Sequence, residues 1–265
     1  VYGMPNNIRE FLHYLETTNK ALETLLPKDV NIYFFHLKQR KKQRRTGVIS
    51  INYLHKHLQA IKKFSHYLRE TEQGHFETDI ILPEQSSPHK DILSTEEITQ
   101  LYAACSSSPI GLRDRAMLSI FYGCGLRRNE GVNLDTTDFI VSSNLLYVRK
   151  GKNYKERYVP FTEQVKQDLQ AYLDYGRGSY LRDFSNTAFF ISERGSRING
   201  QSLILRLKQL MIKAEINKDI GLHSLRHSIA THLLQSGMRL QNIARFLGHE
   251  SLESTQVYTH ILNEL

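Results

Sequence analysis

The sequence predicts a mainly α-helical protein with a small antiparallel β-sheet. Apolar residues recur at helical spacing along most of the chain, and two short runs rich in β-branched and aromatic residues flank a single turn. A third observation divides the chain, because the periodicity disappears in a segment that contains Pro83 and Pro88. We therefore expect a helical domain over residues 1–80, a linker over residues 81–92 and a second domain over residues 93–265.

Three helices are predicted in the N-terminal domain. An apolar stripe at i, i+3, i+4 and i+7 marks the first helix, with Asn6 or Asn7 available as its cap. A second helix is expected to begin after Pro27, and a third runs from a cap at Ser50 to a stop near Gly74. The result is a small unit without strands.

The second domain is predicted to open with a helix, because Ser94 and Glu97 have the spacing of a capping box. Another helix ends at Gly123, and the runs 145–149 and 157–159 form a hairpin. Further helices are predicted over residues 163–174, 201–214, 223–235 and 240–247, and a lone strand over residues 189–192.

Composition excludes several classes of protein. The chain has 265 residues, of which 40% are hydrophobic, so it can bury a substantial core. It contains no run of 18 apolar residues and no signal-peptide pattern, and we expect a cytoplasmic protein without a membrane span. Val1 stands where an initiator Met is expected, so the chain is taken as a fragment or a processed product. Cys105 and Cys124 predict neither a disulfide framework nor a zinc site, and both are expected to be buried.

The net charge of +8 favours an anionic partner, with DNA as the first candidate. The densest basic cluster lies between residues 37 and 45 and is predicted to contact the DNA backbone. Its members are Lys38, Arg40, Lys41, Lys42, Arg44 and Arg45. A solvated helix end or loop is the alternative interpretation of such a cluster.

Four motifs follow one another along the second domain. They are GCGLRRNE at 123–130, GKNYKER at 151–157, the H-x-L-R-H pattern at 223–227, and LGH at 247–249 with Tyr258 nine residues later. This series resembles the tyrosine recombinases, the phage-integrase and Xer-like family of DNA strand-exchange enzymes. The resemblance covers residues 93–260. It implies a helical core-binding domain that clamps DNA, followed by a catalytic domain.

Arg127 and Arg226 are the candidate phosphate ligands. A phosphodiester repels nucleophiles, and its negative charge grows in the pentacoordinate transition state, so cations must meet that charge. Guanidinium stays protonated and offers a planar fork of donors to two phosphate oxygens at once. The resemblance assigns both arginines to the scissile phosphate. Glu130 and Asp138 match acidic positions of the family that are expected to orient arginines or loop amides.

Tyr258 is the candidate nucleophile that forms a phosphotyrosyl enzyme, which conserves the bond energy so that no ATP is needed. The resemblance implies that His223 takes or returns the phenolic proton and that His249 donates a hydrogen bond to a phosphate oxygen. Ordinary buried histidines are the alternative. His223 and His227 have the spacing of two metal ligands, but Ser224 stands where a zinc protease motif has Glu, so we expect neither a metal nor another cofactor.

Lys152 is the candidate general acid, because a departing 5′ hydroxyl needs a proton. The lysine lies in the turn of the predicted hairpin and matches the first lysine of the family motif. Lys155 and Arg157 are its rivals, and a solvated turn lysine is the alternative.

Three features depart from the family pattern. Cys124 replaces a small hydroxylated residue or Gly, and Gly131 replaces a large aliphatic residue. The chain also ends seven residues after Tyr258, so the C-terminal exchange helix of the family is expected either to be truncated or to lie elsewhere.

The resemblance therefore implies a site-specific recombinase or integrase that cuts and rejoins DNA through a covalent 3′-phosphotyrosyl intermediate. Double-stranded DNA is the expected partner and the nucleoid the expected place of action. Conservative exchange breaks four strands with one nucleophile per chain, which predicts a homotetramer on DNA; a monomer in free solution is left open. A type IB topoisomerase and a catalytically idle DNA-binding regulator are the alternatives.

Overall fold

A computed structural model of the chain describes residues 3–40, 49–83, 91–149 and 156–248. The chain divides into two compact units, Val1–Pro88 and His89–Leu265, which are called unit 1 and unit 2. The described residues confirm the mainly helical fold with a small antiparallel sheet.

Unit 1 contains three helices, α1 (Gly3–Thr17), α2 (Pro27–Gln39) and α3 (Ile51–Glu70). Pro27 lies in the first turn of α2, where a missing N–H is tolerated. The predicted cap of α3 is confirmed, because the hydroxyl of Ser50 accepts a hydrogen bond from the Tyr53 N–H.

The predicted cap of α1 is wrong. The helix begins at Gly3, so Asn6 and Asn7 lie inside it, and Asn7 is buried. Pro5 explains the earlier start, since proline is compatible with the first helical turn. The apolar faces of the three helices meet in one core, whose largest members include Phe11, Tyr33, Phe34, Leu54 and Ile61.

Unit 2 is built from seven helices and a three-stranded sheet within the described residues. In chain order these are α4 (Thr95–Ala103), α5 (Pro109–Leu118), α6 (Arg128–Val132), β1 (Phe139–Ile140), β2 (Leu145–Val148), β3 (Arg157–Pro160), α7 (Glu163–Ala171), α8 (Gly200–Lys213), α9 (Leu222–Gln235) and α10 (Leu240–Leu247). The sheet has the order β1-β2-β3 with antiparallel pairing, which confirms the predicted hairpin. Val148 pairs with Arg157 at the end of the hairpin nearest its loop.

Helix α5 continues into a π-helical turn, Ser119–Gly123. The N–H of Cys124 donates to the carbonyl of Ser119 at 2.9 Å, five residues back. Buried side chains fix this turn, because the Ser119 hydroxyl donates to Asp168 Oδ2 at 2.7 Å and lies 3.0 Å from the Tyr102 hydroxyl. The loop that carries Arg127 therefore leaves a rigid point of the core.

The start of α4 is fixed to the rest of unit 2. Ser94 and Glu97 form the predicted capping box. The Leu93 N–H donates to the hydroxyl of Ser228 in α9 at 2.9 Å, and Lys218 Nζ donates to Glu97 at 2.7 Å. These contacts fix residues 93–97, near the start of unit 2, to the rest of that unit.

The segment 189–192 is not the predicted lone strand. It makes an isolated bridge, Ile191 to Arg197, and its Phe189 and Phe190 are fully buried aromatic residues whose packing fixes the segment instead. None of the described helices is both long and apolar enough to cross a membrane.

Candidate active site

Four N–H donors converge on one buried carboxylate, that of Glu130. Arg127 donates twice, through its backbone N–H to Oε2 at 2.8 Å and through Nη1 to Oε1 at 2.9 Å. Arg157 binds in bidentate fashion, with Nη1 to Oε1 at 2.9 Å and Nη2 to Oε2 at 3.0 Å. Arg226 Nη1 lies farther away, 3.9 Å from Oε2. The structure therefore brings the two predicted phosphate ligands, Arg127 and Arg226, to one place.

Glu130 is ionised in this cluster. Burial opposes the charge, but the hydrogen bonds and positive charges of Arg157 and Arg127 outweigh burial and hold the pKa of Glu130 below its ordinary value. Three guanidinium groups and one carboxylate leave a formal charge of +2. The cluster is thus suited to an anion.

The last carbonyls of α10 are the other shared acceptors of these arginines. Arg157 Nε donates to Phe246 O at 3.3 Å, Arg226 Nη2 to Leu247 O at 2.7 Å and Arg127 Nη2 to Gly248 O at 2.9 Å. Helix C-terminal carbonyls lack intrahelical partners and attract cations. The arginines therefore fix the end of α10, the point from which the chain continues to His249.

Two glycines permit this close approach. Gly125 has φ +60°, and a Cβ there would lie 2.9 Å from Leu247. Its carbonyl accepts from Arg226 Nη1 at 2.6 Å. Gly248 ends α10 with φ +66°, and a Cβ there would lie 2.8 Å from the Arg157 side chain. These glycines of the GLRR and LGH motifs are required by backbone geometry and by space.

Helix α9 carries His223 and Arg226 one turn apart, on the same face. Arg226 is buried, whereas His223 is exposed in the first turn. His223 therefore lies at the surface of α9, while the guanidinium group of Arg226 is fixed by backbone carbonyls.

Arg157, predicted as a rival of Lys152 for the role of general acid, is paired with the buried carboxylate of Glu130. It is the first residue of β3, its side chain is 11% exposed, and its guanidinium group points into the Glu130 cluster. The alternation of side chains along β3 was the available signal in the sequence. Arg157 and the buried Val159 lie on the same face of the strand, so Arg157 is also expected to point inward. Sequence analysis missed this inward role.

The hairpin is also fixed on its other strand. Arg149, which directly follows β2, lies 2.7 Å from an oxygen of Asp135 and donates to Asp138 at 2.9 Å. Asp138 accepts the Asp135 N–H as well, at 2.8 Å, so it orients both an arginine and a loop amide, as predicted.

Several predicted residues lie outside the described residues. They are the catalytic candidates Lys152, His249 and Tyr258, the rival Lys155, and the basic residues Lys41, Lys42, Arg44 and Arg45.

The two substituted family positions have structural explanations. Cys124 is fully buried, and burial raises the pKa of its thiol to about 12, so it serves as an apolar side chain. A Cβ at Gly131 would lie 2.5 Å from the ring of Phe121, which fills the space that a large aliphatic residue would need. Cys105 is only partly buried, which corrects the prediction for that residue.

The two described members of the basic cluster differ. Lys38 is exposed near the end of α2. Arg40 points inward and forms an ion pair with Glu10, whose other oxygen accepts from the Tyr53 hydroxyl at 3.2 Å. The prediction that Arg40 contacts DNA does not fit this inward contact.

A second basic surface, absent from the sequence predictions, lies on α3. It is an open groove, called here the α3 groove, lined by His55, Lys56, Leu58, Gln59, Lys62, Lys63, His66 and Leu82. The spacing of its polar residues was the available signal, because positions 55, 59, 62 and 66 form one helical stripe. Among the described residues no group of three or more His, Cys, Asp and Glu could hold a metal ion.

Comparison with known proteins places these residues in a family context. Residues 91–264 match the model of the phage integrase family. Tyrosine recombinase XerC of Oceanobacillus iheyensis is 32% identical over 98% of this chain and 84% of its own length. Tyrosine recombinase XerD of Proteus mirabilis is 35% identical over 78% of this chain and 67% of its own length.

Solved structures share the fold. The crystal structure of XerA recombinase has a TM-score of 0.60 and 30% identity and covers 99% of this chain and 90% of that one. The Tn1549 transposon integrase, solved in complex with transposon right end DNA, has a TM-score of 0.75 at 15% identity, over 97% of this chain and 89% of that one. At that identity the likeness concerns the fold alone.

Proposed function

This chain belongs to the phage integrase family, and from that premise we propose how its residues act on DNA. The chain is a site-specific tyrosine recombinase, an enzyme that cleaves and rejoins DNA. DNA is therefore its partner. The comparisons do not support a type IB topoisomerase or an idle DNA-binding regulator, since its relatives are named as tyrosine recombinases over most of the chain.

The scissile phosphate binds at the Glu130 cluster. The observation that carries this proposal is the convergence of three guanidinium groups on one buried carboxylate, with a formal charge of +2. Arg127 and Arg226 are the groups that face the phosphate, and preorganised donors of this kind stabilise the charge that develops in the transition state. Losing one such donor typically lowers a rate by about 100-fold to 1,000-fold.

Tyr258 supplies the nucleophile. Its phenolic oxygen attacks phosphorus and passes its proton to His223, while the bond from phosphorus to the 5′ oxygen breaks. Lys152 gives a proton to that departing oxygen, and His249 donates a hydrogen bond to a phosphate oxygen. The product is a 3′-phosphotyrosyl enzyme and a free 5′ hydroxyl, and the reverse attack by a 5′ hydroxyl rejoins the strand.

DNA outside the scissile phosphate binds to basic surfaces of unit 1. Lys56, Lys62 and Lys63 of the α3 groove are exposed and share one helix, and they are stronger candidates for backbone contacts than Arg40, which is paired with Glu10. Lys38 and the cluster at residues 41–45 remain candidates.

Four protomers act together on two DNA duplexes. Each chain supplies one nucleophile, and conservative exchange of two duplexes breaks four strands, so a tetramer on DNA is the smallest complete assembly. DNA as the substrate also implies action at the nucleoid.

A nicked suicide duplex tests the chemistry. Its cleaved strand loses the 5′ hydroxyl that would rejoin it, so a covalent protein–DNA band should accumulate and survive denaturant. Tyr258→Phe should abolish that band while the DNA affinity stays within about 3-fold of the original, because the phenol is not needed for binding.

Tyr175→Phe is the matched control, since Tyr175 is 75% exposed and distant in sequence from every motif. It should form the adduct at the original rate. An adduct that survives Tyr258→Phe would contradict the assignment of the nucleophile.

A further inference from the structure

The four acceptor positions of the Glu130 carboxylate are all occupied. An ionised carboxylate offers about four lone-pair sites. Arg127 Nη1 and Arg157 Nη1 donate to Oε1, and the Arg127 N–H and Arg157 Nη2 donate to Oε2. Arg157 therefore fills half of the acceptor capacity of Glu130.

Arg226 is held off this carboxylate. Its Nη1 lies 3.9 Å from Oε2 and donates instead to Gly125 O at 2.6 Å, and its Nη2 donates to Leu247 O at 2.7 Å. A guanidinium group at that distance would need to move only about 1 Å to form a charge-assisted hydrogen bond with Glu130. The occupied lone pairs of Oε2 prevent that movement.

We propose that Arg157 is a positioning residue, which saturates Glu130 so that Arg226 keeps its charge and its donors directed at the scissile phosphate. This inference rests on the proposed function of the Glu130 cluster. Arg157 touches neither the phosphate nor the nucleophile in this role; it acts through Glu130.

The charges of the cluster support this role. With Arg157 present, the formal charge is +2 and one guanidinium group, that of Arg157, is committed to the carboxylate through both of its Nη atoms. Without Arg157, Arg127 and Arg226 would be the neighbouring cations of this carboxylate among the described residues, and the formal charge of the three groups would be +1. Arg226 would then be drawn toward an internal anion that Arg127 already contacts.

The geometry also explains why this residue is arginine. One guanidinium group reaches both oxygens of Glu130 and, through Nε, the carbonyl of Phe246 at 3.3 Å. The ammonium group of lysine is a single point of donation and cannot make the bidentate contact. Arg157→Lys should therefore keep the positive charge but lose the bidentate contact with Glu130.

Single-turnover cleavage of the suicide duplex at saturating protein tests the proposal. Arg157→Gln should cleave about 10-fold to 100-fold more slowly, which is the range typical of residues that orient the groups in direct contact with a reactive centre. Its DNA affinity should stay within about 3-fold of the original. Arg157→Lys should recover only part of the rate. The double variant Glu130→Gln/Arg157→Gln should cleave at least about 5-fold faster than Arg157→Gln, because the anion that captures Arg226 is gone.

A purely structural role makes the opposite prediction, since removing both partners of a buried pair would leave the double variant no faster than Arg157→Gln. That result, or an Arg157→Gln rate within about 3-fold of the original, would overturn the proposal. Near-UV circular dichroism checks the fold of each variant. If Arg157→Gln does not fold, Arg157→Lys is compared with Glu130→Gln/Arg157→Lys by the same criterion.

Arg206→Gln is the matched control, because Arg206 also binds a buried carboxylate through two nitrogens, that of Asp114, and has no contact with Glu130. It should cleave at nearly the original rate. Tyr258→Phe in the same assay separates the two hypotheses: an adduct in that variant refutes the proposed nucleophile, whereas a fast Arg157→Gln beside an inactive Tyr258→Phe refutes only the role of Arg157.

Discussion

His57 is a buried ionisable residue in the core of unit 1. Its Nε2 lies 2.7 Å from the hydroxyl of Tyr33. Burial, assisted by the nearby charge of Arg40, lowers the pKa of His57 from 6.5 to about 4. The folded protein therefore holds this ring neutral at neutral pH.

The stability of unit 1 should depend on pH through His57. In the unfolded chain His57 binds a proton near pH 6.5, and in the folded chain only near pH 4. The contribution of His57 to the free energy of unfolding is therefore complete above pH 6.5 and is lost as the pH falls to about 4. The loss amounts to roughly 3 kcal/mol. Urea unfolding of unit 1 at several pH values between about 4 and 7 measures this loss. In His57→Gln the free energy of unfolding should depend less on pH.

His75→Gln is the corresponding control, because His75 is exposed and precedes the last buried aromatic residue of unit 1, Phe76. Its pH profile should match that of the unsubstituted chain. An equally steep profile in His57→Gln would mean that other groups cause the dependence.

At the scale of the element, the loop between the π-helical turn and α6 depends on Gly125. Alanine at this position would adopt φ +60° at a cost and would place Cβ 2.9 Å from Leu247. Gly125→Ala should lower the unfolding free energy of unit 2 by about 1–3 kcal/mol. Cleavage should also slow, because the carbonyl that holds Arg226 shifts. Urea unfolding and single-turnover cleavage are the two measurements.

Gly178→Ala tests whether the effect belongs to the position or to glycine in general. A Cβ at Gly178 meets nothing within 4 Å, and its φ is negative or extended. Its unfolding free energy should change by no more than about 0.5 kcal/mol. Equal losses in the two variants would contradict the assigned role of Gly125.

The long helices were predictable from the sequence because their apolar stripes persist over several turns. The predicted bounds 201–214 and 240–247 agree with α8 and α10 to within one residue. Helix α6 and strand β1 were not predicted, since five residues and two residues are too short for periodicity to appear. The predicted start of α1 was wrong because the prediction placed the cap at Asn6 or Asn7, whereas Pro5 is compatible with the first helical turn.

For the site, the motifs gave the residue types and the resemblance gave their roles. The sequence could not show that Glu130, Arg157 and the end of α10 meet, because Arg157 and Phe246 are 89 positions apart and their contact depends on the fold. Nor could it show that Arg40 is paired with Glu10, which removes one member from an otherwise continuous basic run.

At the scale of the whole molecule, the charge of +8 favours DNA binding, and a salt titration measures how many phosphates the protein contacts. Each phosphate contact that is lost should reduce the slope of log K against log salt by about 0.9. Lys62→Gln/Lys63→Gln in the α3 groove should therefore reduce the slope by up to about 1.8. Fluorescence anisotropy with a labelled duplex provides the measurement.

Arg9→Gln/Lys28→Gln removes the same charge from exposed positions of unit 1 that lie outside the groove, and its slope should change little. Neutralising residues 38–45 in a third protein measures the other basic cluster. An unaltered slope in that protein would refute backbone contact by the cluster, and an unaltered slope in Lys62→Gln/Lys63→Gln would refute the α3 groove.

The π-helical turn Ser119–Gly123 also governs which changes of length the molecule can accept. Such a turn holds one residue more than a regular helix needs. A one-residue deletion there would let the helix close with the downstream chain nearly in its original orientation, whereas a deletion in the regular turns of α5 would rotate everything downstream by about 100° and draw it back by about 1.5 Å. We therefore expect a one-residue deletion at Ser119–Gly123 to be tolerated better than a one-residue deletion in the preceding turns of α5.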